Sequence, residues 1–185
     1  MSSGVFLQNK GGYRNLVVYQ ITEVIYDLTF YFTRQFLDCR DRTMDQMLQA
    51  ARSGKQNMAE GSEASTTSAE TEIKLTNVAK ASLEELLLDY EDYLRTRQLK
   101  LWDGNHPRYA RLREFCRSES LRLQYASVFP KLDEEELCNM AITLINQATY
   151  MLRRLIERQQ EMFLKNGGVR EQMTRARLDY RNKKG

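Results

Sequence analysis

"ARSGKQNMAEGSEAST", residues 51–66, decides how this chain folds. Two glycines, Gly54 and Gly61, interrupt what otherwise reads as a helix, with Asn57 and Glu60 between them. Glycine inside a helix costs ~1 kcal/mol against alanine, so a helix that keeps two of them has something to offset the cost. Ala50, Gly54, Asn57 and Gly61 are spaced four, three and four, which puts them in one stripe of small residues along the helix. Such a stripe lets a second helix backbone approach closely. Asn57 and Glu60 are then expected to hydrogen-bond across the contact, leaving no buried polar group unpaired. The competing reading sets the amides of Gly54 and Gly61, with Arg52 and Lys55 beside them, against a phosphate backbone. Phosphate sites favour helix N-termini over mid-helix positions, so close packing is preferred.

Around this stretch the hydrophobic period is helical throughout. The helix that contains it is predicted over about 43–61. It opens on a capping box, Thr43-x-x-Gln46, carries an apolar face of Met44, Met47, Leu48, Ala51, Met58 and Ala59, and stops at Gly61. Before it, Val17, Ile21, Val24, Leu28 and Tyr31, widened by Ile25, Phe32 and Phe36, predict a core-facing helix over about 16–39. After it, a second box, Thr67-x-x-Glu70, opens a helix read as running to Leu101, with Leu83, Leu87, Tyr90 and Leu94 on the same beat. A last helix, about 133–165, starts with Asp133 as cap and Glu134, Glu135 and Glu136 against the positive helix end. Leu137, Ala141, Leu144, Ala148, Met151 and Leu155 follow in heptad spacing, and Gly167-Gly168 ends it. Between Pro107 and Pro130 lies an inserted segment, 105–130, read as one or two short helices. Short connections make successive helices antiparallel. The fold expected is all-α: an up-and-down antiparallel four-helix bundle over 15–166, with an inserted short helical segment between its third and fourth helices.

Residues 1–14 are read as a flexible lead-in without a signal-peptide core, and 167–185 as a basic tail. That tail holds six basic and two acidic residues, so of the net charge of +3 it contributes +4 and the rest of the chain −1. The most apolar run, "VIYDLTFYF", is broken by Asp27, so no membrane span is expected and a cytoplasmic location is. Cys39, Cys116 and Cys138 are too widely spaced for a zinc ribbon or disulfide framework and are read as small buried thiols.

A family resemblance adds to this reading. "NMAEG", Asn57 to Gly61, followed by Ser68, Glu70 and then "AKASLEEL", Ala79 to Leu86, closely resembles a bacterial four-helix-bundle family. The family is named after proteins encoded by intervening sequences in large-subunit (23S) ribosomal RNA genes. Its members carry Asn-Ile-Ala-Glu-Gly at the end of the second helix and Ala-x-x-Ser-Leu-x-Glu in the third. Here Met58 replaces the isoleucine, Ala59, Glu60 and Gly61 complete the first block, and Ala79, Ser82, Leu83 and Glu85 meet the second. The likeness covers roughly residues 16–100 and 133–163. The insertion and the tail make the chain similar to the longer subgroup. The resemblance implies a small all-α protomer, often a ring-shaped homopentamer. It also implies kinship with accessory subunits of diversity-generating retroelements, which bind a reverse transcriptase and RNA through a basic surface.

No enzyme chemistry is legible. The single histidine, His106, sits in "DGNHPR" and reads as a plain surface residue. One histidine excludes a di-iron bundle, and no phosphate loop or dinucleotide fingerprint occurs. No cofactor or metal is expected. The binding candidates are Arg170, Arg175, Arg177, Arg181, Lys183 and Lys184 around Tyr180 in the tail, Arg52 and Lys55, and Arg108 and Arg111 of the inserted arginine cluster that continues through Arg113, Arg117 and Arg122. The function expected is a non-catalytic homo-oligomer that binds RNA or a ribonucleoprotein. The alternative is a protein-interaction scaffold, such as an accessory subunit of a reverse transcriptase or other polymerase.

Overall fold

The structure, a computed structural model, describes residues 12–38 and 40–182. It is all-helical, with no strand among the described residues. The α-helices are α1 (Val17–Phe36), α2 (Arg42–Ala64), α3 (Ala69–Thr96), α4 (Tyr109–Arg117), α5 (Glu119–Val128), α6 (Glu134–Asn166) and α7 (Val169–Asn182). Short 3-10 turns lie at Tyr13–Asn15 and Phe129–Lys131. No helix is long and apolar enough to cross a membrane among the described residues.

Four long helices do most of the packing. α1 touches α2 and α6, and α3 touches the same two, so the four enclose a common core. Ile21, Val24, Ile25, Leu28 and Phe32 of α1 are buried in it, with Leu83, Leu86 and Leu94 of α3 and Leu137, Ala141, Leu144 and Ala148 of α6. Val17, predicted in the core-facing stripe, lies outside the core and is 41% exposed, because Val18 and Tyr19 turn inward instead. Three threonines of α1 share the core at no polar cost, since Thr22, Thr29 and Thr33 each donate back to a carbonyl of their own helix. The buried Tyr90 hydroxyl donates to Thr29 Oγ1 at 3.0 Å, and burial raises that phenol well above its ordinary pKa.

Helix ends depart from the sequence reading by a residue or two. The cap of α2 is Asp41, which accepts from Thr43 N at 2.9 Å, so Thr43 is a recipient rather than the cap. Ser68 caps α3 in place of Thr67 and accepts from Thr71 N. α2 continues past Gly61 to Ala64. Asp133 and Glu136 form a reciprocal capping box on α6, whose other end is closed by Gly167 at φ 72°.

The largest difference concerns the end of α3. It stops at Thr96, where Gln98 takes a positive φ of 58° and Leu99 N reaches back to Leu94 O at 2.9 Å. The chain then crosses the start of α6 in an irregular segment, held by Asn139. This residue, 2% exposed, accepts from Trp102 N at 2.7 Å and donates to Lys100 O and Glu135 O. Glu135 accepts from Lys100 N and from Trp102 Nε1, and these bonds hold its carboxyl below the usual range. His106 is no plain surface residue: it is half-buried, with its ring stacked on Trp102 at 4.2 Å.

The inserted segment folds as α4 and α5 and lies against α6 and α1. Cys116, Leu121 and Phe129 anchor it in the core. Tyr125 Oη donates to Asp27 Oδ2 at 2.5 Å, so the aspartate that interrupts the apolar run of α1 is where the insertion docks. That bond first, and burial second, push the Tyr125 phenol up to about 12. Burial alone pushes the Cys116 thiol up to about 12, and Cys138 is buried and raised too, while Cys39 lies outside the described residues.

Candidate nucleic-acid interface

The small-residue stripe is a packing device. A Cβ on Gly54 would lie 2.7 Å from Leu83 Cδ2 and 2.9 Å from Leu83 Cγ, so the leucine occupies the space the glycine leaves. At Gly61 a Cβ would meet Leu75 Cβ at 3.3 Å and Glu72 O at 3.4 Å. Both glycines are buried against α3, so their amides are not available to a phosphate backbone. The hydrogen bond across the contact joins Ser82 of the family motif to Ser53, which the sequence reading did not single out. Ser53 Oγ and Ser82 Oγ meet at 2.8 Å. Asn57 donates to Ser53 of its own helix, and Glu60 is exposed. The family-motif residues thus divide. Gly54, Gly61, Ser82 and Leu83 build the α2–α3 seam, Ala59 packs at the edge of the core, and Glu85 faces solvent.

The basic candidates of α2 separate in the same way. Lys55 Nζ sits 4.1 Å over the Tyr26 ring, and Arg52 is exposed. In the inserted segment, Arg108 is paired with Glu136 and lies over the Trp102 ring, which makes it a structural tie between the crossover and α6. Arg111 is exposed and pairs with no described residue. Arg113 and Arg117 of the same cluster, and not Arg108 and Arg111, line a groove between α4 and α6. Their spacing of four on a helix was the available signal.

The basic tail is helical as far as it is described. α7 buries none of its residues. At 100° per residue, Arg170, Arg177 and Arg181 fall on one face, beside a row of Val169, Met173, Ala176 and Tyr180. Arg175 lies on the other side of the helix, four residues from Glu171 and four from Asp179, which offset its charge. Tyr180 is 61% exposed. Lys183 and Lys184 lie outside the described residues. α7 follows the end of α6, whereas the arginines of α4 flank α6 near Asn146. Twenty residues of helix, about 30 Å, separate Asn146 from Asn166, so the α4 arginines lie beside the first half of α6 and α7 starts after its last residue.

The chain matches no family model, no curated protein and no solved structure. No group of three or more His, Cys, Asp and Glu side chains among the described residues is placed to hold a metal ion. The geometry of the site therefore rests on the chain's own residues. Acidic side chains gather elsewhere, with Glu85, Asp89 and Asp92 on one face of α3, where burial and the two neighbouring carboxylates raise the Asp89 pKa.

Proposed function

We propose that this chain is a non-catalytic, cytoplasmic, homo-oligomeric protein that binds RNA or a ribonucleoprotein through α7. In this reading its frame is an up-and-down four-helix bundle of α1, α2, α3 and α6 with α4 and α5 inserted, of the kind made by the intervening-sequence family it resembles. The observation that carries the binding reading is α7. It spends no side chain on the core, and it aligns Arg170, Arg177 and Arg181 on one face without an intervening acid. Spacings of seven and four residues put these residues about 10 and 6 Å apart along the axis, a row of positive charge that a polyanionic strand can follow. Tyr180 adds an aromatic face next to that row. Repetition of the row around a homo-oligomer, in the family a pentameric ring, multiplies a modest affinity through avidity.

Filter binding of a structured RNA at two salt concentrations tests this. The full chain is expected to bind at low salt, with affinity falling steeply as salt rises. The combined variant Arg170→Ala, Arg177→Ala, Arg181→Ala is expected to bind at least tenfold more weakly and to reduce the slope of log affinity against log salt by about one per lost phosphate contact. Equal binding by the variant, or no binding by either protein, overturns the reading. The second reading, an accessory subunit for a reverse transcriptase or other polymerase, is favoured instead if α7 retrieves a protein partner after nuclease treatment.

A further inference from the structure

A groove of about 760 Å³ lies between α4, the crossover after α3, and α6. Faces of α4 and α6 make its two walls, and Glu91 of α3 lines it as well. From α4, Arg113 and Arg117 project one turn apart, with the Arg113 guanidinium 5.5 Å over the Tyr109 ring. From α6, Asn146, Gln147 and Tyr150 follow at helical spacing, above an apolar floor that includes Ile142 and Met151.

Glu91 sets one negative charge against the two arginines of the lining and is in no ion pair with a described residue; the uncharged side chains and the arginines fall into two sets. Asn139 and Thr143 are consumed by the fold: Asn139 holds the crossover, and Thr143 donates to the Asn139 carbonyl at 2.7 Å. Four others are not. Arg113 and Arg117 are in no ion pair with a described residue, and the side-chain amides of Asn146 and Gln147 bond to no described group. Tyr150 is 57% exposed, with the Arg153 guanidinium 5.3 Å from its ring centroid over one face, so the other face is the one left for a flat partner. Arg113 rests over Tyr109 and Arg153 over Tyr150, but no hydrogen bond or ion pair with a described residue accounts for the Arg117 guanidinium or the two amides that converge beside them.

Each element of that set recognises a different part of one chemical unit. Paired arginines take a phosphate through bidentate hydrogen bonds. An exposed tyrosine ring takes a base by stacking. Asparagine and glutamine amides, with a donor and an acceptor on one plane, match the edge of a base. An acidic peptide would engage the arginines and leave the ring and the amides idle. An apolar ligand would leave the arginines unpaired. A base paired within a duplex has its face covered by its neighbours, so it could not reach Tyr150.

We propose that this groove holds an unpaired nucleotide of a single-stranded RNA, its phosphate on Arg113 and Arg117, its base on Tyr150, and its edge on Asn146 and Gln147. The inference deepens the RNA reading above and rests on it for the class of polymer. α7 supplies charge along the backbone and the groove selects a strand that is not paired.

The protein carries its own probe, because Trp102, the one tryptophan of the chain, lines the groove. Titrating the full-length protein with a twelve-nucleotide single-stranded RNA, while following Trp102 emission and oligonucleotide anisotropy together, is expected to give one salt-dependent transition in both signals. Arg113→Ala with Arg117→Ala, and separately Tyr150→Ala, are expected to weaken binding about tenfold and to abolish the emission change, whereas Tyr150→Phe restores both. All these side chains are solvent-exposed, so thermal melts by circular dichroism should be unchanged, and a melt that shifts moves the test to Asn146→Ala and Gln147→Ala.

Three results overturn the proposal: groove variants that bind as the parent does, a duplex of equal length that binds as well as the single strand, and polyglutamate or free mononucleotide that reproduces the emission change at the same concentration as the oligonucleotide. The two readings fail separately. The triple arginine variant of α7 is expected to lower affinity while the emission change persists at higher RNA. If it binds like the parent and the groove variants do not, the α7 reading is lost and the groove stands.

Discussion

The α2–α3 seam and α7 are both built from helix surface rich in residues that a sequence reading can turn into a phosphate site, yet they behave oppositely. At the seam, Gly54 is filled by Leu83, Gly61 abuts the backbone of Glu72, and Ser53 meets Ser82. Every small residue there is used up by a neighbouring helix. α7 presents three aligned arginines and buries nothing. The difference teaches that glycine in mid-helix speaks about backbone approach, whereas basic residues speak about binding only where no core and no carboxylate claims them. Lys55 over Tyr26 and Arg108 with Glu136 are the cationic counterparts of the seam, since both are spent inside the fold.

Substitutions should separate these two regions by size of effect. Leu83→Ala should break the seam most severely, since it empties a fully buried position and leaves Gly54 facing a cavity. About 3 kcal/mol of stability is expected to be lost in urea denaturation, with RNA affinity of the remaining folded protein unchanged. Gly54→Ala comes next. The gain of ~1 kcal/mol in helix propensity is outweighed by the contact with Leu83, which is buried and must repack, for a net loss of about 1–2 kcal/mol. Gly61→Ala, whose nearest contacts are 3.3 Å or more, should stay within about 1 kcal/mol of the parent. If the two glycine variants prove equal, the seam is not the close approach described.

The inserted segment offers a smaller and pH-dependent test. Tyr125→Phe removes the bond to Asp27 and should cost about 1 kcal/mol. Because the folded state raises the Tyr125 pKa from 10.0 to about 12, its contribution is complete below pH 10 and is lost as the pH rises through about 12. The Cys116 thiol, raised from 9.0 to about 12 by burial, acts in the same direction. The melting temperature should therefore be level from pH 7 to 9 and fall above it, with a shallower fall in Tyr125→Phe. Smallest of all, the triple α7 variant Arg170→Ala, Arg177→Ala, Arg181→Ala should shift stability by less than about 0.5 kcal/mol, even as it removes most RNA affinity. A large loss of stability would mean that α7 belongs to the fold.

The heptad of α6 from Leu137 to Ala148 and the rows of α1 were legible because burial at three- and four-residue spacing writes itself into composition. Helix caps were legible only to within a residue or two. Asp41 and Thr43, or Thr67 and Ser68, all carry a side-chain oxygen, and which one caps depends on backbone geometry. The end of α3 left no mark, since a position with positive φ is filled by Gln98 where glycine would have announced a stop. The candidate site was half legible. The basic segment showed in the charge count, while Arg113 and Arg117 were one cluster with Arg108 until the fold sent them to a groove and Arg108 to Glu136.

What the amino-acid order alone determined is the local part: an all-helical chain, where its apolar faces lie, and that its positive charge is concentrated near residues 170–184. Period and charge are properties of neighbours along the chain, so they need no partner to be read. What only the tertiary structure decided is which polar groups remain available. Asn139 and Asn146 are the same residue seven positions apart on one helix, and the crossover consumes the first and leaves the second at the groove. Availability depends on what packs alongside, and that is settled by contacts between segments far apart in sequence.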